Sequence, residues 1–206
     1  RYSYAIGFQI GSSLRERVTD VDTGMLAKGV EEALGGAQPR LSSEEMQSAL
    51  QAYDQLQQQK VEAEAEAAAE EGRAFLEANR QKEGMQQTES GLQYQVLEEG
   101  HGEQPDVDDT VVVHYRGTLL DGEEFDSSYA RGEPARFPVG AVIPGWQEAL
   151  QMMQPGAKWK IFVPPQLAYG ERGAGDVIGP NQTLIFEIEL LEVVSGDGEQ
   201  PAPEGQ

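Results

Sequence analysis

Two hydrophobic periods share this chain, and no single kind of element satisfies both; the change falls between Gly84 and Ser90. Before it, Met25, Leu26, Val30 and Leu34, then Met46, Leu50, Tyr53 and Leu56, recur at three- and four-residue intervals, the spacing of one helix face. After it, Leu184, Phe186, Ile188 and Leu190 alternate with Ile185, Glu187, Glu189 and Leu191, and Trp159, Ile161 and Val163 alternate likewise. Period two is the mark of half-buried antiparallel strands. Composition turns at the same place, from Ala, Gln and Glu to Gly, Pro, Val, Ile and aromatics. A chain of 206 residues accommodates two small domains. The expectation is an α+β protein: an all-helical N-terminal domain, a long linking helix, and a C-terminal antiparallel sheet wrapped on a short helix.

Tyr4, Ile6, Phe8, Ile10 and Leu14 fit helical spacing only in part, yet with the Met25–Leu34 group they predict two short helices ended by Gly35-Gly36. Their apolar surface is too large to cover itself, which predicts a partner or a neighbouring helix against it. Ser42 and Glu45 form a capping-box pattern, and no Pro or Gly interrupts until Gly72. One helix from about Ser43 to Lys82, about 60 Å long, follows, with Gly84 at the C-terminal cap position. Its middle, Gln57 to Glu71, offers only Ala, Gln, Glu, one Lys and one Val, so it reads as a solvent-exposed rod held by helix propensity. A coiled coil is the weaker alternative, because no sustained apolar seam crosses that middle. The predicted division is a helical domain at 1–42, a connecting helix at 43–84, a sheet domain at 85–194 and a disordered acidic tail at 195–206. Within the sheet domain, further strands are expected near Leu92–Leu97 and Thr110–Leu120, with a turn at Asp121-Gly122. A short helix after Pro144 turns Trp146, Ala149 and Leu150 toward the sheet.

The formal charge of −21 excludes a basic footprint for nucleic acid and disfavours anionic membranes. It is shared, −6 before Met85 and −15 from there on, and reads most simply as a well-solvated surface. With no cysteine, disulfides, thiolate zinc sites and Cys nucleophiles are excluded. No apolar run approaches the roughly 20 residues that span a bilayer, and no signal peptide is visible. A start at Arg1 is compatible with a processed precursor or a trimmed chain.

Between His114 and Phe186, aromatic and branched apolar residues recur with no plausible nucleophile, metal cluster or acid/base pair among them. Tyr115, Phe125, Val142, Ile143, Trp146, Tyr169 and Phe186 are the candidate lining of one pocket. Such a pocket excludes water and grips a ring, so the chemistry it serves needs little proton transfer. His114 reads as a satisfied strand residue, and with His101 the only other histidine there is no metal constellation. The loop Gly170–Gly179 lacks the Lys and following helix of a phosphate cradle and reads as a flexible flap.

Four blocks carry a resemblance: VHYRGTLLDGEEFDSS at Val113–Ser128, VIPGW at Val142–Trp146, LAYG at Leu167–Gly170 and TLIFEIELL at Thr183–Leu191. In this order they resemble the FK506-binding-protein family of peptidyl-prolyl cis/trans isomerases, and the C-terminal domain is expected to share that fold. The helical half, with YSYAIG at Tyr2–Gly7, resembles the macrophage infectivity potentiator type. In that group N-terminal helices form a homodimer and a long helix carries each isomerase domain away from it.

The resemblance implies an isomerase that assists protein folding with no cofactor or metal. It assigns catalytic positions to Tyr115, Phe125, Asp126, Trp146, Tyr169 and Phe186, with Trp146 as the floor under the proline ring. It assigns substrate binding to Arg131, Phe137, Val142, Ile143, Val177 and Ile178, the backbone N–H of Ile143 and the hydroxyl of Tyr169 donating to ligand carbonyls. Asp126 matches the family's pocket carboxylate with Arg131 placed to pair with it; a purely structural ion pair is the equal alternative. Ala135 stands where many members carry an aromatic, and Ala174 where some carry His. The implied partners are proline-containing unfolded or folding proteins, macrolide inhibitors such as tacrolimus and rapamycin, and a second copy of the chain through residues 1–42. The implied location is the bacterial periplasm or outer membrane, with the cytoplasm as the alternative. The competing reading is a binding or chaperone module in which the helical domain holds clients and the prolyl pocket is incidental.

Overall fold

The computed structural model describes residues 1–15 and 18–195; the expected tail, apart from Ser195, lies outside the described residues. The chain divides into two compact units, 1–56 and 57–206.

The first unit holds α1 (Tyr2–Arg15), α2 (Thr23–Leu34) and the start of α3 (Ser43–Asn79). Asp22 caps α2, its carboxylate accepting from the N–H groups of Gly24 (2.8 Å) and Met25 (2.9 Å). The α3 start is a reciprocal capping box: Ser42 N–H donates to Glu45 Oε2 (2.8 Å) and Glu45 N–H to Ser42 Oγ (3.2 Å). The bond from Ser42 N–H, with a second from the Ser42 hydroxyl to the same oxygen (2.8 Å), holds the Glu45 carboxyl below the ordinary carboxylate range. Tyr53 on α3 ties down the connection before α2, its hydroxyl donating to Thr19 O and accepting from Thr19 N–H, both at 3.0 Å. Neither α1 nor α2 contains a buried residue.

In the second unit seven antiparallel strands form one sheet in the order β1-β2-β6-β7-β3-β4, with β5 on the early part of β3. The strands are β1 (Met85–Gln87), β2 (Gln93–Glu98), β3 (Thr110–Thr118), β4 (Glu124–Ser127), β5 (Ala135–Pro138), β6 (Lys158–Val163) and β7 (Leu184–Val194). Two helices interrupt them, α4 (Ser128–Arg131) and α5 (Pro144–Met152). The expected alternation is realised: Leu184, Phe186, Ile188 and Leu190 are all buried, and Trp159, Ile161 and Val163 with them. Proline at its first position starts α5, which turns Trp146, Ala149 and Leu150 into the core. Each fully buried Leu or Ile in this layer contributes about 1.5–3 kcal/mol. Gly145 lets α5 approach β6 closely, since a Cβ there would meet Val163 Cγ1 at 2.5 Å.

Helix α3 departs from the sequence expectation in two ways. It ends at Asn79, not Lys82, and Gly84 (φ 76°) serves the turn into β1. The stop is made by Gln93, whose side chain donates to the Leu76 carbonyl (2.8 Å) and accepts from the buried Asn79 amide (3.0 Å). Nor is the helix a bare rod: within its middle Ala68 is buried and Ala65 half-buried, and beyond it Gly72 and Asn79 are buried. Gly72 meets the residue just before β7 so closely that a Cβ would lie 2.4 Å from Thr183 Oγ1, and Phe75 packs on Phe162 with ring centroids 5.8 Å apart. Ala and Gly carry almost no hydropathy signal, which is why this contact face does not register in a periodicity reading.

Among the described residues no helix is long and apolar enough to cross a membrane.

Candidate active site

The inward positions of β3 are Val111, Val113, Tyr115 and Gly117, and the last two face the end of the sheet where α5 lies. There Trp146 meets three rings at nearly right angles: Tyr115 (5.2 Å, 85°), Phe137 (5.8 Å, 89°) and Phe186 (5.2 Å, 86°). Phe125 on β4 closes the set edge-on to Phe186 (5.6 Å, 87°). Such edge-to-face pairs are each worth about 0.5–1.5 kcal/mol beyond the area they bury. The indole N–H of Trp146 is buried without an acceptor among the described residues, so ring packing alone sets its orientation.

The rings bound a cavity of about 320 Å³, open on one side, with Val142, Ile143, Ala141, Asp126 and Tyr169 completing its wall. Asp126 is held at its edge by a three-membered network. The Tyr115 hydroxyl and the Arg131 guanidinium both donate to the Asp126 carboxylate, and Arg131 also donates to the Tyr115 hydroxyl (2.7 Å). Burial acts to raise the Asp126 pKa, but the bonds from Tyr115 and Arg131 outweigh it and the carboxyl sits below its ordinary value. Burial and the bond to Asp126 push the Tyr115 phenol up, and burial and the Asp126 charge do the same for Tyr169.

Of the twelve expected site residues, nine line this cavity. Arg131 touches it through Asp126 and Tyr115, while Val177 and Ile178 do not line it. Ile178 is turned into the core by a two-residue bridge to Ala174 (2.8 and 3.1 Å), which leaves Val177 exposed to solvent. The same bridge gives the loop read as a flap a closed tip. Ala135 and Ala174 pack against the core and also stay off the cavity wall. His114, off the site, pairs with Ser128 Oγ (2.9 Å) and stacks on Tyr129.

Three contributors escape the sequence reading. Ala141 lines the wall. Gln147 fixes the lip, its amide donating to Val142 O (2.7 Å) and Gly140 O (3.3 Å). Gly117 lets the rings meet: a Cβ there would lie 2.7 Å from Phe125 and 2.9 Å from Phe186. The glycine sits inside a motif block and on an inward strand position, the one signal that marks it.

This sheet wrapped on α5, with an aromatic box over a tryptophan, is the architecture of one class of enzyme. Residues 101–191 match the family described as FKBP-type peptidyl-prolyl cis-trans isomerase, and residues 1–96 match the domain amino terminal to it. The chain belongs to the FKBP-type peptidyl-prolyl cis-trans isomerases that carry this amino-terminal domain. It is 45% identical over 197 residues to the "Outer membrane protein MIP" of Legionella longbeachae, covering 94% of this chain and 84% of that protein. It is 47% identical over 197 residues to the FKBP-type 22 kDa peptidyl-prolyl cis-trans isomerase of Escherichia coli K12, covering 93% and 94%. The crystal structure of FkpA from Escherichia coli superposes with a TM-score of 0.74 at 39% identity, over 95% of this chain and 96% of that one.

Proposed function

We propose that the aromatic cavity takes the proline of an Xaa-Pro segment and accelerates rotation about the bond before it in unfolded or folding proteins. The observation that carries this reading is the three-sided ring packing on Trp146. It makes a rigid aromatic wall for a cavity of about 320 Å³, and the catalysis proposed needs no group there to give or take a proton.

Rotation about an amide costs about 18–20 kcal/mol because resonance is lost in the twisted form. The twisted amide is also less dipolar, so water favours the planar ground state. A slot walled by Trp146, Phe186, Phe125 and Tyr115 withdraws that preference. The Ile143 N–H, which makes no hydrogen bond among the described residues, and the Tyr169 hydroxyl hold the flanking carbonyls. A thousandfold acceleration needs only about 4 kcal/mol of differential stabilisation, which the loss of solvent around the amide supplies while the two donors fix its position. Asp126 and Arg131 keep Tyr115 in place; the same slot is the site for macrolides such as tacrolimus and rapamycin. The test is exchange of a Leu-Pro or Phe-Pro peptide with purified protein; an uncatalysed rate sinks the reading.

The site's own titrations predict a flat pH dependence. Asp126, with its lowered pKa, keeps its charge and its pairing above the ordinary aspartate range, about 4, and loses them only as pH falls through its lower folded value. Tyr115 and Tyr169, with raised values, stay neutral to beyond pH ~10. Between pH 5 and 9 kcat/KM is expected to vary less than about twofold; a bell-shaped profile would show that proton transfer had been overlooked.

For residues 1–42 the proposed role is homodimerisation, with 43–84 as the connecting helix. In α1 and α2 Tyr4 (77%), Phe8 (64%), Met25 (61%) and Leu34 (86%) are exposed. A groove of about 670 Å³ runs between Ile10, Leu14, Leu26 and Val30. An apolar surface of this kind on one chain is expected to be covered in solution. Deleting residues 1–40 is expected to halve the mass seen by light scattering while peptide isomerisation is retained. Two pockets in one dimer would hold a client by avidity, and a periplasmic or outer-membrane site fits the relative's name. The exposed, stacked rings of Tyr4 and Phe8 (6.1 Å) support a second reading, a chaperone module that holds clients on the helical unit. Suppression of client aggregation by residues 1–84 alone, with none from 85–206, would favour it.

A further inference from the structure

Among the described residues that line the aromatic cavity none belongs to α3. The helix nevertheless reaches that cavity through one side chain. Asn181 lies just before β7 in the left-handed conformation (φ 54°), which Asn, Asp and Gly tolerate best. Its backbone N–H donates to Gly170 O at 2.8 Å, and Gly170 directly follows Tyr169 in the chain. Its side-chain amide donates to the carbonyl of Ala65, in the body of α3, at 3.3 Å. A helical carbonyl has a second lone pair for such a bond without giving up its own i→i+4 partner.

The helix cannot shift away from Asn181 freely. Two residues further on, Thr183 Oγ1 fills the notch at Gly72, and Phe75 leans on Phe162. Tyr169, by contrast, has little of its own to hold it. It is 40% exposed and its hydroxyl makes no hydrogen bond among the described residues, so its place depends on the backbone on either side. On one side that backbone is turned by Ala168 N–H to Pro165 O (3.0 Å), on the other by Asn181 to Gly170.

We infer that Asn181 is a positioning residue through which α3 holds Tyr169 at the mouth of the prolyl pocket; the inference rests on the isomerase reading above. The helix thereby contributes to substrate binding from outside the cavity. Since the Tyr169 hydroxyl grips a carbonyl of the bound peptide in ground and transition states alike, loosening it acts mainly on KM.

The test uses the full chain and a Phe-Pro peptide. Asn181→Asp keeps the left-handed preference and replaces the donor by a carboxylate that the Ala65 carbonyl repels; Asn181→Gly keeps the backbone conformation and removes the side chain without adding charge. Each is expected to raise KM about three- to tenfold with kcat nearly unchanged. Gly72→Val, which forces α3 off Thr183, is expected to do the same from the helix side. In a Tyr169→Ala background all three effects should vanish, which a merely structural role would not produce. Wild-type KM in both Asn181 variants overturns the inference, as does an undiminished loss in the Tyr169→Ala background. A wild-type protein that leaves the peptide uncatalysed would instead sink the isomerase reading.

Discussion

The double variant Tyr169→Phe, Phe186→Ala is expected to lower kcat/KM for a Phe-Pro peptide by roughly two to three orders of magnitude, about 3–4 kcal/mol of transition-state stabilisation. On the proposed reading, removing the Tyr169 hydroxyl is expected to cost one hydrogen bond to a substrate carbonyl, about 1 kcal/mol. Removing the Phe186 ring deletes two edge-to-face contacts, to Trp146 (5.2 Å) and Phe125 (5.6 Å), and opens the dry slot to water. The rest of the loss comes from that wetting, since the planar, dipolar amide regains its solvent. Phe186 is buried, so folded stability falls too, by about 3–5 kcal/mol for a Phe→Ala change in a core. The rate must therefore be measured where circular dichroism shows the sheet intact. An unchanged rate in folded protein would remove the aromatic slot from the mechanism.

Gly117→Val is the second large effect. The new Cβ would fall 2.7 Å from Cε2 and Cζ of Phe125 and 2.9 Å from Cε1 of Phe186, well inside contact distance. The Phe186 ring cannot retreat, since it is braced by Trp146 and β3 is paired to β7 on this side, with Gly117 opposite Phe186. The expected cost is about 1–3 kcal/mol of overpacking, a fall in Tm of roughly 4–10 °C for a domain of this size. The displaced rings should also lower kcat/KM more than about tenfold. Thermal melting and peptide exchange on the same preparation measure both. A variant that melts and turns over like wild type would mean that this glycine does not shape the site.

These two substitutions differ in how legible their targets were. Phe186 lies in an alternating run whose buried face can be read residue by residue, and Tyr169 lies in a recognisable LAYG block. Gly117 has no side chain to read, and its importance lies in what two other strands bring against it. Gln147 is similar: on the exposed side of an amphipathic helix it looks like solvent-facing polarity, yet it fixes the pocket lip through Val142 O. Val177 and Ile178 show the converse case, since the structure places neither on the cavity wall. Their position in the motif order suggested contact with substrate, but the Ala174–Ile178 bridge rotates the pair so that one side chain is core and the other is solvent-exposed.

What the amino-acid order determined by itself was everything with a local cause. The capping box at Ser42 and Glu45, Pro144 opening α5, and the alternation of β6 and β7 arise from neighbours within a few residues, and the motif blocks can be read in order along the chain. Those features were enough for the α+β architecture, the family and most of the cavity wall. Tertiary structure alone decided the contacts between distant segments made by residues with little or no hydropathy. Gly72 against Thr183, Gly117 between two rings, and Asn181 reaching Ala65 across 116 positions are of this kind. Such contacts depend on how closely two backbones approach, and that distance is set only after every other side chain has packed.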